Sequence, residues 1–201
     1  DFDDVRLAVY TQPTKTGLPN KIPEIIELAI GGKTLQEKLE FAKTFFGKEI
    51  KVTDIFKEGQ VVDTKSVSKG KGYQGPVKIY GVKIRQAKAE KTKRGPASLG
   101  SWKAQGHITW RVAHGRKHGF HQRTEHNKLV VKMGSKAEDV NAKGGFVRFG
   151  LLKNDYVLIK GSVAGPAKRP VIMTEAIRPL VKFKVKTPEV SYISIESKQR
   201  R

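Results

Sequence analysis

The sequence contains no cysteine, two methionines and two tryptophans in 201 residues. Without cysteine the chain can form neither disulfides nor thiolate metal sites, and it is compatible with a reducing cytosol. No apolar run approaches the roughly 18 to 20 residues that a membrane-spanning helix requires. The first residues show no signal-peptide pattern. We therefore expect a soluble protein with no membrane partner.

Acidic residues are almost missing from one third of the chain. Residues 65–136 carry 18 Lys or Arg and only two acids, Glu90 and Glu125, whereas residues 1–64 have a net charge of −2 and residues 137–201 of +7. Most of the formal net charge of +21 therefore lies on one stretch. Such asymmetry favours a polyanionic partner over a merely solvated basic surface.

One amphipathic helix is predicted at residues 34–46. Thr34 and Glu37 form a capping-box pattern, apolar residues then recur at helical spacing, and Gly47 ends the pattern. We expect the helix to pack on a core, with partner binding as the alternative use of its apolar face. Its apolar residues are Leu35, Leu39, Ala42 and Phe46.

The remaining regular structure is predicted to be short. Residues 52–56 favour a brief helical turn with Asp or Thr as its cap. Closely spaced strands with turn residues between them favour a small barrel over a parallel sheet, around a modest core. The predicted strands are 1–10, 60–67, 146–149, 156–160, 171–174 and 190–195.

The basic stretch from residue 69 to about 123 shows neither helical nor strand periodicity. Glycine recurs every few residues between Lys, Arg, His and isolated aromatics, so there is little apolar material to bury. A DNA-reading module would normally show a recognition helix. Irregular basic segments with aromatics that can stack on bases suit folded RNA better.

Catalytic and nucleotide-binding interpretations have less support. The five histidines, between His107 and His126, would suit a metal-dependent nucleic-acid enzyme, but only Glu125 lies among them and nearby cations would repel a metal. The glycine loop at residues 69–75 lacks the spacing and the final Lys-Ser/Thr of a P-loop. A free regulatory RNA-binding module stays a further alternative. We expect no enzyme activity, no metal and no cofactor.

Several blocks of the chain resemble the archaeal and eukaryotic form of the large-ribosomal-subunit protein L-three family. The blocks keep their order, and five of them together are more specific than one glycine motif. They are SKGKGYQGPVK (68–78), LGSW (99–102), GFHQRTEHNK (119–128), GGFVRFG (144–150) and LIKGSVAGPAKR (158–169). The ending at 192–197 is also similar to the archaeal one.

The resemblance implies a mainly β fold with some α: a small translation-protein-type β-barrel with a helical insertion and a long irregular basic extension. It implies a helix-containing insertion at 1–59, barrel and tail at 60–82 and 124–201, and an rRNA-penetrating extension at 83–123. Trp110 resembles the tip residue that approaches the peptidyl transferase centre, although the loop is one residue longer than usual. Because the family's N-terminal part has no counterpart, we expect a fragment of a longer polypeptide.

The resemblance also implies a structural, rRNA-binding component of the large ribosomal subunit that aids assembly. Its partners would be large-subunit rRNA and neighbouring ribosomal proteins, in the cytoplasm, without homo-oligomers. The residues expected to contact RNA are Lys69, Lys71, Tyr73, Gln74, Lys78, Lys83, Arg85, Lys88, Lys91, Lys93, Arg94, Trp102, Lys103, His107, Trp110, Arg111, His114, Arg116, Lys117, His121, Gln122, Arg123, Lys128, Lys168 and Arg169.

Overall fold

The computed structural model describes residues 2–88, 91–96, 99–100, 112–179 and 187–199. Their strands are β1 (Arg6–Tyr10), β2 (Ile25–Ala29), β3 (Val61–Val67), β4 (Tyr73–Gln74), β5 (Arg116–Lys117), β6 (Gln122–Gly134), β7 (Tyr156–Ile159) and β8 (Ile172–Glu175). The helices are α1 (Leu35–Phe45), α2 (Val52–Ile55) and α3 (Pro76–Tyr80), with 3-10 turns at Pro13–Lys15 and Ala137–Asp139. No helix in these ranges is long and apolar enough to cross a bilayer.

The strands form three separate sheets. A four-stranded sheet has the order β7-β6-β3-β8, and two ribbons pair β1 with β2 and β4 with β5. The predicted mainly β class with some α is therefore confirmed. Within the described ranges the four-stranded sheet is open, with β7 and β8 at its edges. The barrel and the helical insertion stay predictions.

The chain divides into two compact units. The first unit comprises Asp1–Thr64, Glu125–Ser162 and Met173–Arg201, and the second unit comprises Lys65–Thr124 and Val163–Ile172. In the first unit a small apolar core forms around Val62, which is fully buried. Its other members are Phe56 and Val130, with Met133, Val157 and Met173 packed against them.

The predicted helix at 34–46 is confirmed as α1. The Thr34 hydroxyl accepts the Glu37 N–H at 3.3 Å, and the Glu37 carboxylate accepts the Thr34 N–H at 3.4 Å, so the capping box closes. No residue of α1 is buried. Of the four apolar residues expected in a core, Leu35 and Phe46 are exposed, and Leu39 and Ala42 are half-buried.

Several predicted elements differ from the structure. The helical turn at 52–56 forms as α2, but Lys51 precedes it as cap, and Asp54 accepts the Lys51 N–H. The predicted strand at 146–149 is wrong, because Phe146 and Gly150 exchange two backbone hydrogen bonds and enclose a turn, with Arg148 at φ 62°. The predicted strand at 190–195 is also wrong, since this segment has no regular structure.

Candidate nucleic-acid interface

The ribbon of β4 and β5 joins two parts of the second unit that are distant in sequence. Tyr73 pairs with Lys117 and Gln74 with Arg116, in antiparallel register. The side chains of Tyr73, Arg116 and Lys117 are exposed, and Gln74 is half-buried. The ribbon therefore presents an aromatic ring, an amide and two cations on a short paired backbone.

The glycine-rich loop before β4 is fastened by main-chain hydrogen bonds to the segment after β5. The Ser68 N–H donates to the His121 carbonyl at 2.9 Å, and the Lys71 N–H donates to the His118 carbonyl at 2.9 Å. In return the His118 N–H donates to the Gly72 carbonyl at 2.8 Å. This part of the basic stretch is thus ordered by its own backbone, which sequence periodicity did not predict.

Arg169 holds the same loop from another segment. Its Nη1 donates to the carbonyls of Val67 at 2.9 Å and Ser68 at 3.0 Å, and the side chain is half-buried. The Ser66 hydroxyl donates to the Pro170 carbonyl at 2.9 Å beside it. Arg169 was predicted to contact RNA, but its hydrogen bonds show a structural use of the guanidinium.

Aromatic rings interrupt the cationic surface of the second unit. Tyr73 is 73% exposed and Phe120 is 72% exposed, and Tyr80 is also exposed. The Arg116 guanidinium lies 5.2 Å from the Tyr80 ring centre, and that of Arg169 lies 5.8 Å from the Phe120 ring centre. Such contacts support the rings while leaving part of each ring accessible.

The sequence of the second unit is strongly cationic. It contains 17 Lys or Arg and a single acid, Glu90, which gives a formal charge of +16. The first unit carries the remaining +5. A surface of this charge attracts polyanions and releases their condensed counterions on contact.

The predicted RNA-contacting residues fall into three groups. Most are exposed in the second unit: Lys69, Lys71, Tyr73, Lys78, Lys83, Arg85, Lys88, Lys91, Lys93, Arg94, His114, Arg116, Lys117, His121, Gln122, Arg123 and Lys168. Gln74, Lys128 and Arg169 are half-buried, and Lys128 in the first unit pairs with Glu125 at 2.6 Å. Trp102, Lys103, His107, Trp110 and Arg111 lie outside the described residues.

A buried carboxylate in the first unit was not anticipated from the sequence. Asp63 on β3 has no exposed surface, its Oδ1 accepts the Asn127 N–H at 2.9 Å, and its Oδ2 lies 2.7 Å from His126 Nδ1. The same Oδ2 accepts the Ile177 N–H at 3.3 Å. Burial raises the pKa of Asp63, but these hydrogen bonds outweigh burial and hold the pKa below its ordinary value.

The histidines do not assemble a metal site in the part of the chain that the structure describes. His114, His118, His121 and His126 belong to that part, and no group of three or more potential ligands lies together there. His126 is engaged with Asp63, and the backbones of His118 and His121 hold the glycine loop. His107 lies outside the described residues.

These observations define a basic, mainly β protein with a cationic unit that exposes aromatic rings. Residues 2–200 match the model of the family described as Ribosomal protein L3. The chain belongs to this family. The resemblance found in the sequence blocks is thereby confirmed.

Individual relatives agree with the family match. The large ribosomal subunit protein uL3 of Methanocaldococcus jannaschii is 46% identical over 200 residues, and that of Methanococcus vannielii is 46% identical over 198 residues. The uL3 protein of Methanothermobacter thermautotrophicus is 46% identical over 200 residues. Each comparison covers 98% of this chain and 59% of the relative, so the chain spans about three fifths of their length.

Proposed function

We propose that this chain is part of a structural component of the large ribosomal subunit and that its second unit binds large-subunit rRNA. The observation that carries the proposal is the formal charge of +16 on the second unit, whose β4–β5 ribbon itself carries two exposed cations, Arg116 and Lys117. The names of the relatives, large ribosomal subunit protein uL3, support the same assignment.

The chemistry of the unit suits binding rather than catalysis. Lysine and arginine side chains neutralise phosphates where RNA strands converge, and exposed aromatic rings stack on bases. Glycines between them let the RNA backbone approach the main chain closely. The protein would therefore act without chemistry of its own, in the cytoplasm as part of the ribosome, with rRNA and neighbouring ribosomal proteins as partners.

The finer architecture implied by the resemblance belongs to the same proposal. The open sheet of β7, β6, β3 and β8 would be part of a small barrel at 60–82 and 124–201, with 1–59 as the insertion. The extension at 83–123 would enter the rRNA, aid assembly and support the peptidyl transferase centre. Trp110 would lie at its tip.

Binding of an rRNA fragment across salt concentrations tests the charge argument. A protein that makes about 6 to 10 phosphate contacts should lose roughly 10³- to 10⁵-fold in affinity between 50 and 200 mM salt. A flat response over that range would contradict the proposal, because counterion release would then contribute nothing.

A single substitution locates the contacts on the ribbon. Lys117→Gln removes an exposed charge of β5, so the slope of log affinity against log salt should fall by about 0.7 to 0.9, whatever the RNA sequence. Lys48→Gln is the matched control, since Lys48 is an exposed lysine of the first unit. If the slopes of log affinity against log salt were equal for the two variants, the RNA would not contact Lys117 on the ribbon.

A further inference from the structure

Phe120 combines three features that rarely occur together in a surface phenylalanine. Its ring is 72% exposed, its backbone lies at φ 54°, and it follows Gly119 at φ 75°. A positive φ is uncommon for any residue with a side chain and is an outlier for a bulky one. The backbone is strained here, yet the ring gains little burial in return.

The strained conformation is held by its surroundings. A Cβ atom at Gly119 would collide with the carbonyl oxygen of Lys69, so only glycine fits before Phe120. The hydrogen bonds of His118 and His121 to the loop at 68–72 fix the chain on both sides. The ring is therefore presented in one place rather than left on a free loop.

One face of the ring is occupied from within the protein. The Arg169 guanidinium lies 5.8 Å from the ring centre, and Arg169 is itself fixed by the Val67 and Ser68 carbonyls. A cation at this distance is attracted by the negative face of an aromatic ring. The support comes from inside the second unit, whereas most of the ring surface faces solvent.

We infer that the exposed surface of the Phe120 ring is a stacking site for one unpaired base of the bound RNA. This inference rests on the proposed RNA binding and adds that the second unit takes single-stranded nucleotides, not only A-form helices. Strained residues held by their surroundings concentrate at ligand sites. Lys69 and Lys71 are exposed in the loop that packs against Gly119 and Phe120, and the exposed Arg123 follows Phe120 in sequence. Cations at these positions suit contacts with the phosphates that flank a stacked base.

The charge of its unit distinguishes Phe120 from Phe46, another exposed phenylalanine. Phe46 is 83% exposed, but it belongs to the first unit, which carries +5 against +16 for the second. Its ring has no guanidinium contact among those described, and its φ of −61° is ordinary. Phe46 therefore serves as a control for the loss of an exposed phenylalanine ring.

The test compares two RNA probes at about 50 mM salt. One is an unstructured 12-nucleotide RNA with a central 2-aminopurine, and the other is a 12-base-pair RNA duplex. Phe120→Ala should weaken binding of the single strand by roughly 5- to 150-fold, as expected for the loss of one stacked base. Binding of the duplex should stay within about twofold, because phosphate contacts do not require the ring.

Further variants keep the outcomes separable. Phe120→Tyr should retain the affinity and the quenching of 2-aminopurine on stacking, and Phe46→Ala should change neither. Equal losses on both probes, or no loss on the single strand, would overturn the inference and leave RNA binding intact. If Phe120→Ala left binding of the single strand unchanged, the ring would be free to contact a neighbouring protein instead of RNA. If the unaltered chain bound neither probe, the proposed function itself would fail.

Discussion

Asp63 is a charged side chain with no exposed surface, and its hydrogen bonds explain why it is tolerated. Two main-chain N–H groups and the His126 ring surround the carboxylate. Buried charges are stable only when such partners replace the lost water. The position lies on β3 beside the fully buried Val62, so the sequence alone would suggest a solvent-facing acid.

The stability of the folded chain should depend on this carboxylate at acidic pH. Because the folded-state pKa of Asp63 is lowered, its contribution is present above the unfolded pKa of about 3.9 and is lost as pH falls through the lower folded value. Asp63→Asn should therefore lower the free energy of unfolding by about 2 kcal/mol at pH 6 and much less near pH 2.5. Urea unfolding across pH measures the difference.

A matched control separates the buried carboxylate from a general charge effect. Asp139→Asn changes an exposed aspartate and should alter the free energy of unfolding by less than about 0.5 kcal/mol at either pH. A loss for Asp63→Asn that is the same at both pH values would show that shape, rather than charge, determines the role of this residue.

Among the elements, local signals predicted α1 more accurately than the strands. The Thr34 and Glu37 spacing encodes a cap that needs no distant partner, and the structure shows both of its hydrogen bonds. By contrast, β5 is only Arg116–Lys117, and it becomes a strand because Tyr73 and Gln74 pair with it across about 40 positions. Periodicity within one segment cannot report such pairing.

The incorrectly predicted elements have the same cause, because contacts between residues outside the local pattern decide their structure. The motif at 146–149 contains the aromatic and β-branched residues typical of a strand, but the positive φ of Arg148 turns the chain so that Phe146 pairs with Gly150. In the candidate site, the exposed cations of the second unit follow from charge density. The structural use of Arg169 and the inferred stacking at Phe120 do not, because they depend on carbonyls and a guanidinium brought together by folding.

The β4–β5 ribbon leads to a specific prediction for the free chain. If residues 69–123 fold only on RNA, as their scarcity of apolar residues suggests, their amide protons should exchange almost without protection when no RNA is bound. The Lys71 and His118 N–H groups, however, donate to main-chain carbonyls. We expect their exchange to be at least about tenfold slower than in an unstructured peptide.

Hydrogen exchange of the free chain, followed by NMR, measures these two amides directly. Ser68 provides a third amide of the same loop, since it donates to His121. Exchange of all three at the unstructured rate would mean that the ribbon forms only on RNA. Protection that rises further when an rRNA fragment is added would agree with the proposed interface.

At the scale of the whole molecule, the proposed position of Trp110 at the tip of the extension leads to a prediction for translation. In an intact protein of this family, Trp110→Ala should change accommodation of aminoacyl-tRNA, or the response to drugs at the peptidyl transferase centre, while large subunits still assemble. Sucrose-gradient profiles and a translation assay measure the two effects. A variant that fails to assemble would identify Trp110 as a packing residue and contradict its proposed position at the tip.

The exposed apolar residues around α1 affect how the protein can be handled. Nucleic acid is usually stripped from basic proteins with concentrated salt, but sulfate salts also strengthen association between apolar surfaces. Phe41 and Phe46 are both exposed in the first unit, so washing in ammonium sulfate should promote aggregation while it removes RNA. Sodium chloride with a mild non-ionic detergent would screen the cations without driving these phenylalanines together.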